Sequence, residues 1–448
     1  MFAVRGEGLA WMTVVSCGWA ILLYGYDQGV MSGLISLPQF NEEMLGSPNS
    51  SAGIKGLVVA IYGIGAFVGA ISAMLYAGRK FGRRITVTVG QAFAMVGAAL
   101  QASSFSLPQT IVARIITGIG KVGQITATVP VWMAEIAPPS RRGLAGGIMM
   151  ICGPLGLLIA YWIDYGVSSY ASGFSFRFPL AFQAVFCVGQ FLTMPFLPES
   201  PRWLVAKGRV EAASTVIASI HGVNHIRESD DAQLMFNDIQ QAVTIEHDGK
   251  PAWKELVTSG PLRYRRRVVL AFATQAMQQL AGINVFAYYS TVIFEQSLGK
   301  SSHDALIMGG FTALVFFLGG CVGSSLADRL GRRVMLMSGF AGASIGMALG
   351  AIGTSETSYS FGVVATFGIF FFQFIFGAGL LIPPWVYGVE IMPLKLRALG
   401  GSISAASGWI WNFAVVQVTP AGLESLGYGY FIMWAAFNFC FIWVIFCE

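Results

Sequence analysis

Residues 278 to 289 read QQLAGINVFAYY, within an apolar run long enough to cross a bilayer. Two glutamines, an asparagine and two tyrosines would each cost free energy against lipid, so they must face other helices or a water-filled cavity. At about 100° per residue, Asn284 and Tyr288 fall on one side of an ideal helix and Gln279 on nearly the opposite side. One straight helix cannot aim all of them at one ligand. Gly282 lies between the two groups and has no Cβ, so the chain can bend or unwind there, and broken helices at mid-membrane depth build ligand sites. The alternative reading is that the amides only hydrogen-bond neighbouring helices.

The surrounding chain of 448 residues is 55% hydrophobic and 11% charged, a balance that marks an integral membrane protein. Apolar runs at Leu9–Ile35, Ile54–Ala77, Ile85–Ser104, Thr110–Met133, Leu144–Val167 and Pro179–Leu197 give six spans. Six more follow at Val268–Phe294, Leu306–Ala327, Val334–Gly353, Phe361–Val389, Gly400–Thr419 and Tyr428–Phe446. The polar stretch between the sets carries VEAASTVIASI and AQLMFNDIQQAV, which read as short helices outside the bilayer. The expected division is therefore a bundle over 1–198, a helical linker over 199–267 and a second bundle over 268–448.

Most of the 27 Lys and Arg lie on one side: Arg5, Arg79 to Arg84, Arg141 and Arg142, the linker, Arg329 to Arg333, Lys395 and Arg397. By the positive-inside rule that side, with both termini and the linker, is cytoplasmic. The same bias accounts for the net charge of +5 without a nucleic-acid partner. The first apolar run is long enough to stay as a helix and lacks a clear cleavage site, so no signal peptide is expected. The six cysteines are spaced singly, which suggests neither a disulfide framework nor a metal site. Asn49-Ser50-Ser51 is a glycosylation sequon in a loop on the outer side. No nucleophile–base–acid set or phosphate loop is present, and no cofactor is implied, so the chain does not read as an enzyme.

The two sets of spans repeat one another. Glu135-Ile-Ala-Pro138 followed by Arg142 matches Glu390-Ile-Met-Pro393 followed by Arg397 with the same offsets, and Phe81-Gly82-Arg83-Arg84 matches Leu330-Gly331-Arg332-Arg333. Parallel repeats of this kind place a ligand site between the halves and expose it alternately to either side by rocking.

On these motifs the chain resembles a sugar porter of the major facilitator superfamily, from about Gly25 to the last span. GYDQGVMSGLI (25–35), PESPRWL (198–204), QQLAGINVFAYY, ADRLGRR (327–333) and the two E-I-x-P loops carry the resemblance. The wording of GYDQGVMSGLI, AYWIDYG (160–166) and VTPAGLESLGY is similar to fungal members, including hexose and glycerol proton symporters. The resemblance implies twelve helices in two pseudo-symmetric bundles, acting as a plasma-membrane monomer on a sugar or polyol. It also implies sugar contacts from Gln278, Gln279, Asn284, Tyr288, Trp385 and Asn412. Amides that donate and accept, with an aromatic face, suit a hydroxyl-rich ligand. Pro383-Pro384 beside Trp385 marks another discontinuous helix.

Asp27, deep in the first span, would cost about 2.5–3.5 kcal/mol as a lone charge on insertion scales, so it needs a cation or a proton. Arg114 in the fourth span is the partner that the resemblance implies, in a pair that couples proton entry to helix movement. The competing reading is a permanent structural ion pair. Glu135, Arg142, Glu199, Arg202, Asp328, Arg332, Glu390 and Arg397 alternate in sign around helix ends. Their expected role is cross-bundle pairing that shuts the cytoplasmic side in the outward-open state, while Arg83 and Arg84 are accounted for by charge bias alone.

Several positions depart from the family pattern. Met150 and Phe316 stand where sugar porters place an amide, Gly408 where an asparagine is frequent, and Leu381-Ile382 where Gly-Pro is usual. Arg79 replaces an aspartate, and one extra residue lies between Gly120 and Pro130, where Lys121 sits. The chain stops at Cys447-Glu448, short of the Pro-Glu-Thr motif and tail of the family. These changes leave a small polyol or a less polar compound open as ligand. A transporter-like nutrient sensor and a passive facilitator remain as the alternative functions.

Overall fold

Apolar runs in lipid must satisfy their own backbone groups, and here every one of them does so as helix. A computed structural model describes residues 4–47, 50–137, 142–248, 263–356, 358–392 and 397–447, and contains no strand among them. The expected Asn49 sequon and the side chains of Arg79, Lys121, Arg142, Asp328 and Arg397 lie outside the described residues.

The first set runs through span one (Glu7–Leu34), span two (Ala52–Ala60 and Tyr62–Ser72), span three (Arg83–Ala102) and span four (Leu107–Thr117 and Thr126–Ile136). Span five (Arg142–Val167) and span six (Phe174–Thr193) complete it. The second set comprises span seven (Tyr264–Leu280 and Ile283–Val292), span eight (Ser302–Leu330), span nine (Arg332–Thr354) and span ten (Tyr359–Ile375 and Pro383–Glu390). Span eleven (Arg397–Leu426) and span twelve (Tyr428–Cys447) close the chain. Span eleven runs past the expected Thr419 because Pro420 and the polar turn after it continue the helix.

Among the described residues, nine of these spans are long and apolar enough to cross a membrane on length and composition alone. Spans four, seven and eleven are the others, and each carries polar residues of the candidate site or its surroundings. In span four the chain between Gly118 and Ile125 forms a wide π turn. A π turn takes up one residue more than an α turn, which accounts for the extra residue seen there in the sequence.

Span one lies closest to span five. A Cβ on Gly25 would collide with the Gly153 carbonyl, so this approach of two backbones depends on small residues. Spans five and eight, two and eleven, and one and seven make most of the contacts between the two sets. On the side of the termini, helices Pro201–Ala206, Val210–Ile220 and Asp230–Asp248 follow span six. Ser200 caps the first of them by accepting the Trp203 N–H at 3.2 Å. Val216 and Ile220 share an apolar cluster with Leu9 at the start of span one, and the Gly6 N–H donates to the Ser219 carbonyl at 2.8 Å.

Candidate functional site

Span seven breaks at Gly282, which adopts φ 93° in the left-handed region. A Cβ there would stand 2.5 Å from Met347 Cε, the flexible end of a side chain that can move, so it is the backbone conformation that selects glycine. The break does what a straight helix could not. Gln279 and Asn284 now meet, with Asn284 Nδ2 donating to Gln279 Oε1 at 2.7 Å. Asn412 of span eleven donates to Asn284 Oδ1 at 2.9 Å, and Gln279 donates to Gln278 Oε1 at 3.4 Å.

Gln278 anchors this chain of amides by donating to the Leu380 carbonyl at 2.7 Å. That carbonyl is left over from span ten: its α-helical donor would be the nitrogen of Pro384, which bears no hydrogen. The expected second break is therefore present, as a π turn over Phe376–Leu380 followed by a helix that starts at Pro383.

Asp27 and Arg114 also meet. Arg114 NH1 lies 3.6 Å from Asp27 Oδ1, and both side chains are fully buried. The guanidinium has firmer partners, donating to the Val59 carbonyl at 2.9 Å and to Gln101 Oε1 at 3.4 Å, and it lies 5.0 Å from the centre of the Tyr62 ring. Span two is interrupted at Ile61, immediately before Tyr62. The Tyr62 hydroxyl hydrogen-bonds Tyr288 and reaches Asn412 Oδ1 at 3.3 Å. One chain of contacts thus runs from Asp27 and Arg114, across the Tyr62 ring to its hydroxyl, and on to Asn412, Asn284 and Gln279.

A cavity of about 750 Å³, its open mouth included, lies between the two sets of spans. Of the expected ligand contacts, Gln278, Gln279, Asn284 and Trp385 line it, whereas Tyr288 and Asn412 stand behind this first layer. Met150, Phe316 and Leu381 also line it, so three of the departures from the family pattern fall on one wall. Beside Gly408, the fourth, the space is taken by the amide of Gln275. Sequence reading passed over Tyr24, Gln28 and Thr126, which bring polar atoms to the cavity from the first half. The one available signal was that Gln28 is a polar residue in an apolar span, adjacent to Asp27.

Away from the linker side, hydrogen bonds join the halves. The Tyr161 hydroxyl lies 2.8 Å from Ser32 Oγ and 3.2 Å from the Ala287 carbonyl, and Ser32 Oγ is 3.3 Å from Thr291 Oγ1. Gln417 Nε2 donates to the Gly53 carbonyl at 3.3 Å, and the Tyr165 hydroxyl is 3.2 Å from His303 Nε2.

On the linker side the charged residues that are described pair within each half. Arg83 grips both carboxylate oxygens of Glu135 at 3.1 Å, and Arg332 grips those of Glu390 at 3.2 and 3.1 Å. Both pairs stay within their own half instead of crossing between halves. The physical reason is local: each Arg follows a positive-φ glycine, Gly82 or Gly331, that turns it toward the end of span four or span ten. Arg83 therefore does more than supply charge bias. Glu199 accepts the N–H groups of Arg83 at 2.8 Å and Arg84 at 3.1 Å, capping span three. Burial pushes the Glu199 carboxyl above its ordinary value, against the lowering effect of those N–H groups and of Arg83. Arg202 is half-buried at the start of helix Pro201–Ala206.

Twelve helices in two repeated sets, with a polar cavity between them, define a carrier of the major facilitator type. The family described as "Sugar (and other) transporter" matches residues 11–448, and the chain belongs to it. It is 34% identical to the MFS-type transporter oryC of Aspergillus oryzae over 99% of this chain and 83% of that protein. It is 30% identical to the sugar transporter STL1 of Saccharomyces cerevisiae over 99% of this chain and 79% of that protein. In fold it is similar to the proton:xylose symporter XylE bound to 6-bromo-6-deoxy-D-glucose, with TM-score 0.83 and 21% identity over 99% of this chain and 96% of that one. The protein is thus a multi-pass membrane transporter and not an enzyme.

Proposed function

We propose that this protein is a proton-coupled symporter of a sugar or polyol, working by alternating access. The observation that carries the reading is the chain of contacts from the Asp27–Arg114 pair through Tyr62 to the amides of spans seven and eleven. Asp27 takes the proton, and Arg114 keeps its Val59 and Gln101 acceptors when the pair opens. Gln278, Gln279, Asn284 and Trp385 hold the ligand, with Tyr288 and Asn412 behind them. The resemblance to a proton:xylose symporter and to a sugar transporter supports the same reading.

Residues 1–198 and 268–448 rock against each other, with 199–267 as a cytoplasmic linker beneath them, in the plasma membrane and with both termini inside. The hydrogen bonds across the far side, with the Arg83–Glu135 and Arg332–Glu390 pairs kept within their halves, support an inward-facing state. In the outward-facing state the same charges, with Arg142, Glu199, Arg202, Asp328 and Arg397, close the inner side.

The test is uptake of radiolabelled hexoses, pentoses, glycerol and other polyols in cells lacking their own transporters, with and without a protonophore. Wild type accumulates substrate above the external level and loses this with protonophore. Asp27→Asn retains exchange of internal for external substrate and loses accumulation; undiminished accumulation by the variant overturns the proposal.

A further inference from the structure

The lining of the cavity between the halves is of two kinds. Gln278, Gln279 and Asn284 bring amides from the second half, and among the described residues Gln28 is the one amide that lines it from the first half. Gln28 Nε2 donates to the Tyr24 hydroxyl at 2.9 Å, one turn earlier on span one, and the same amide interacts with Tyr288. Tyr24 is itself held edge-on against Trp409 of span eleven, with ring centres 5.6 Å apart. Gln28 is thus positioned from both halves. The apolar part is a wall of Ile21, Met150, Phe316, Phe376 and Leu381, which offers no side-chain hydrogen bond apart from the weakly accepting sulfur of Met150.

A ligand hydroxyl pressed against that wall loses its water and gains no partner, which weakens binding about tenfold for each such group. A methyl or methylene there is favoured by leaving water. A ring that bears hydroxyls all round satisfies the amides and conflicts with the wall. Resting on the transport reading above, we propose that the site selects a ligand hydroxylated along one edge and apolar where Met150, Phe316 and their neighbours meet it. Deoxy- or alkyl-substituted sugars and polyols are of this class, and Gln28 is the contact of the first half to the hydroxylated edge.

The test uses the purified full chain in detergent, following tryptophan fluorescence, since Trp385 lines the cavity. The probes are D-glucose, the set of monodeoxy-D-glucoses and propyl β-D-glucoside. At least one deoxy or alkyl probe binds wild type about tenfold more tightly than D-glucose, and the Met150→Gln/Phe316→Asn double variant reverses that order. Gln28→Ala weakens binding about tenfold for the fully hydroxylated edge but leaves unchanged the one monodeoxy probe that lacks the hydroxyl it contacts, while Gln28→Asn, which keeps an amide, loses less. D-glucose binding wild type at least as tightly as every analogue overturns the substrate class. Equal losses for all probes in Gln28→Ala, or none, overturn the role of Gln28. If no sugar probe nor glycerol binds wild type, the sugar or polyol reading itself fails with it, which separates the two failures.

Discussion

The two halves share one backbone plan and divide the chemistry between them. Among the described residues, the buried charged side chains Asp27, Arg114 and Asp164 all lie in the first half. The buried polar groups of the second half are amides and hydroxyls, with Gln275, Gln278, Gln279, Asn284 and Asn412 at the centre. A group that takes up a proton must change charge, whereas groups that sort hydroxyls need neutral donors and acceptors. The repeated frame is the same in both halves, and the buried groups it carries differ. The Arg83–Glu135 and Arg332–Glu390 pairs remain as the trace of common design.

The largest expected effect tests the ligand half. Gln279→Ala removes the acceptor of Asn284 and the longer of the two acceptors of Asn412, leaving a buried amide N–H unpaired in the layer that holds the ligand, so affinity for the transported substrate falls by about 3 kcal/mol, roughly 100-fold. Binding measured on the purified variant checks this, and an unchanged affinity moves the site elsewhere. Next comes the connection between halves. Tyr62→Phe cuts the hydroxyl link to Tyr288 and Asn412, so the accumulation ratio drops about tenfold while binding changes about threefold or less, as for a coupling of 1–3 kcal/mol. A proportional loss of both would show that Tyr62 belongs to the ligand site instead.

Smaller effects concern the shared pairs. Arg83→Lys, in the more buried pair, lowers stability by about 1–2 kcal/mol, and Arg332→Lys, in the more exposed one, by less than about 1 kcal/mol. Thermal melts of the two variants side by side read the difference, and equal shifts would remove the distinction drawn from burial. The smallest change is expected at Asp164, whose carboxyl group rests against the backbone of Gly33 in span one. Asp164→Asn keeps the shape and replaces a buried acid by a neutral amide, so the melting temperature stays within about 2 °C of wild type or rises. A marked fall would mean that this acid, like Asp27, has a partner on which the first half depends.

The spans were legible because lipid imposes long apolar runs, and charge placement ordered their ends. The breaks in spans seven and ten were legible too, since Gly282 and Pro383-Pro384 act on the backbone itself. What escaped reading depends on direction. Tyr288 and Asn412 carry the right chemistry but face the second layer, while Gln28 faces the cavity from a helix noted only for Asp27. The charged loops showed that Arg and Glu alternate; which carboxylate each arginine grips follows from the turn at Gly82 and Gly331, and sequence periodicity does not encode that.

The wide turn in span four carries a last consequence. Thr126 and Pro130, both facing the cavity, lie just beyond Gly118–Ile125, and Arg114 lies just before it. The turn acts as a phase shifter between the segment that carries Arg114 and the one that faces the cavity. Deleting a single residue from it would rotate everything downstream by about 100° and exchange the lining of that wall without altering any residue that lines it. Relatives that differ here by one position can therefore present different walls to their ligands from nearly identical side chains.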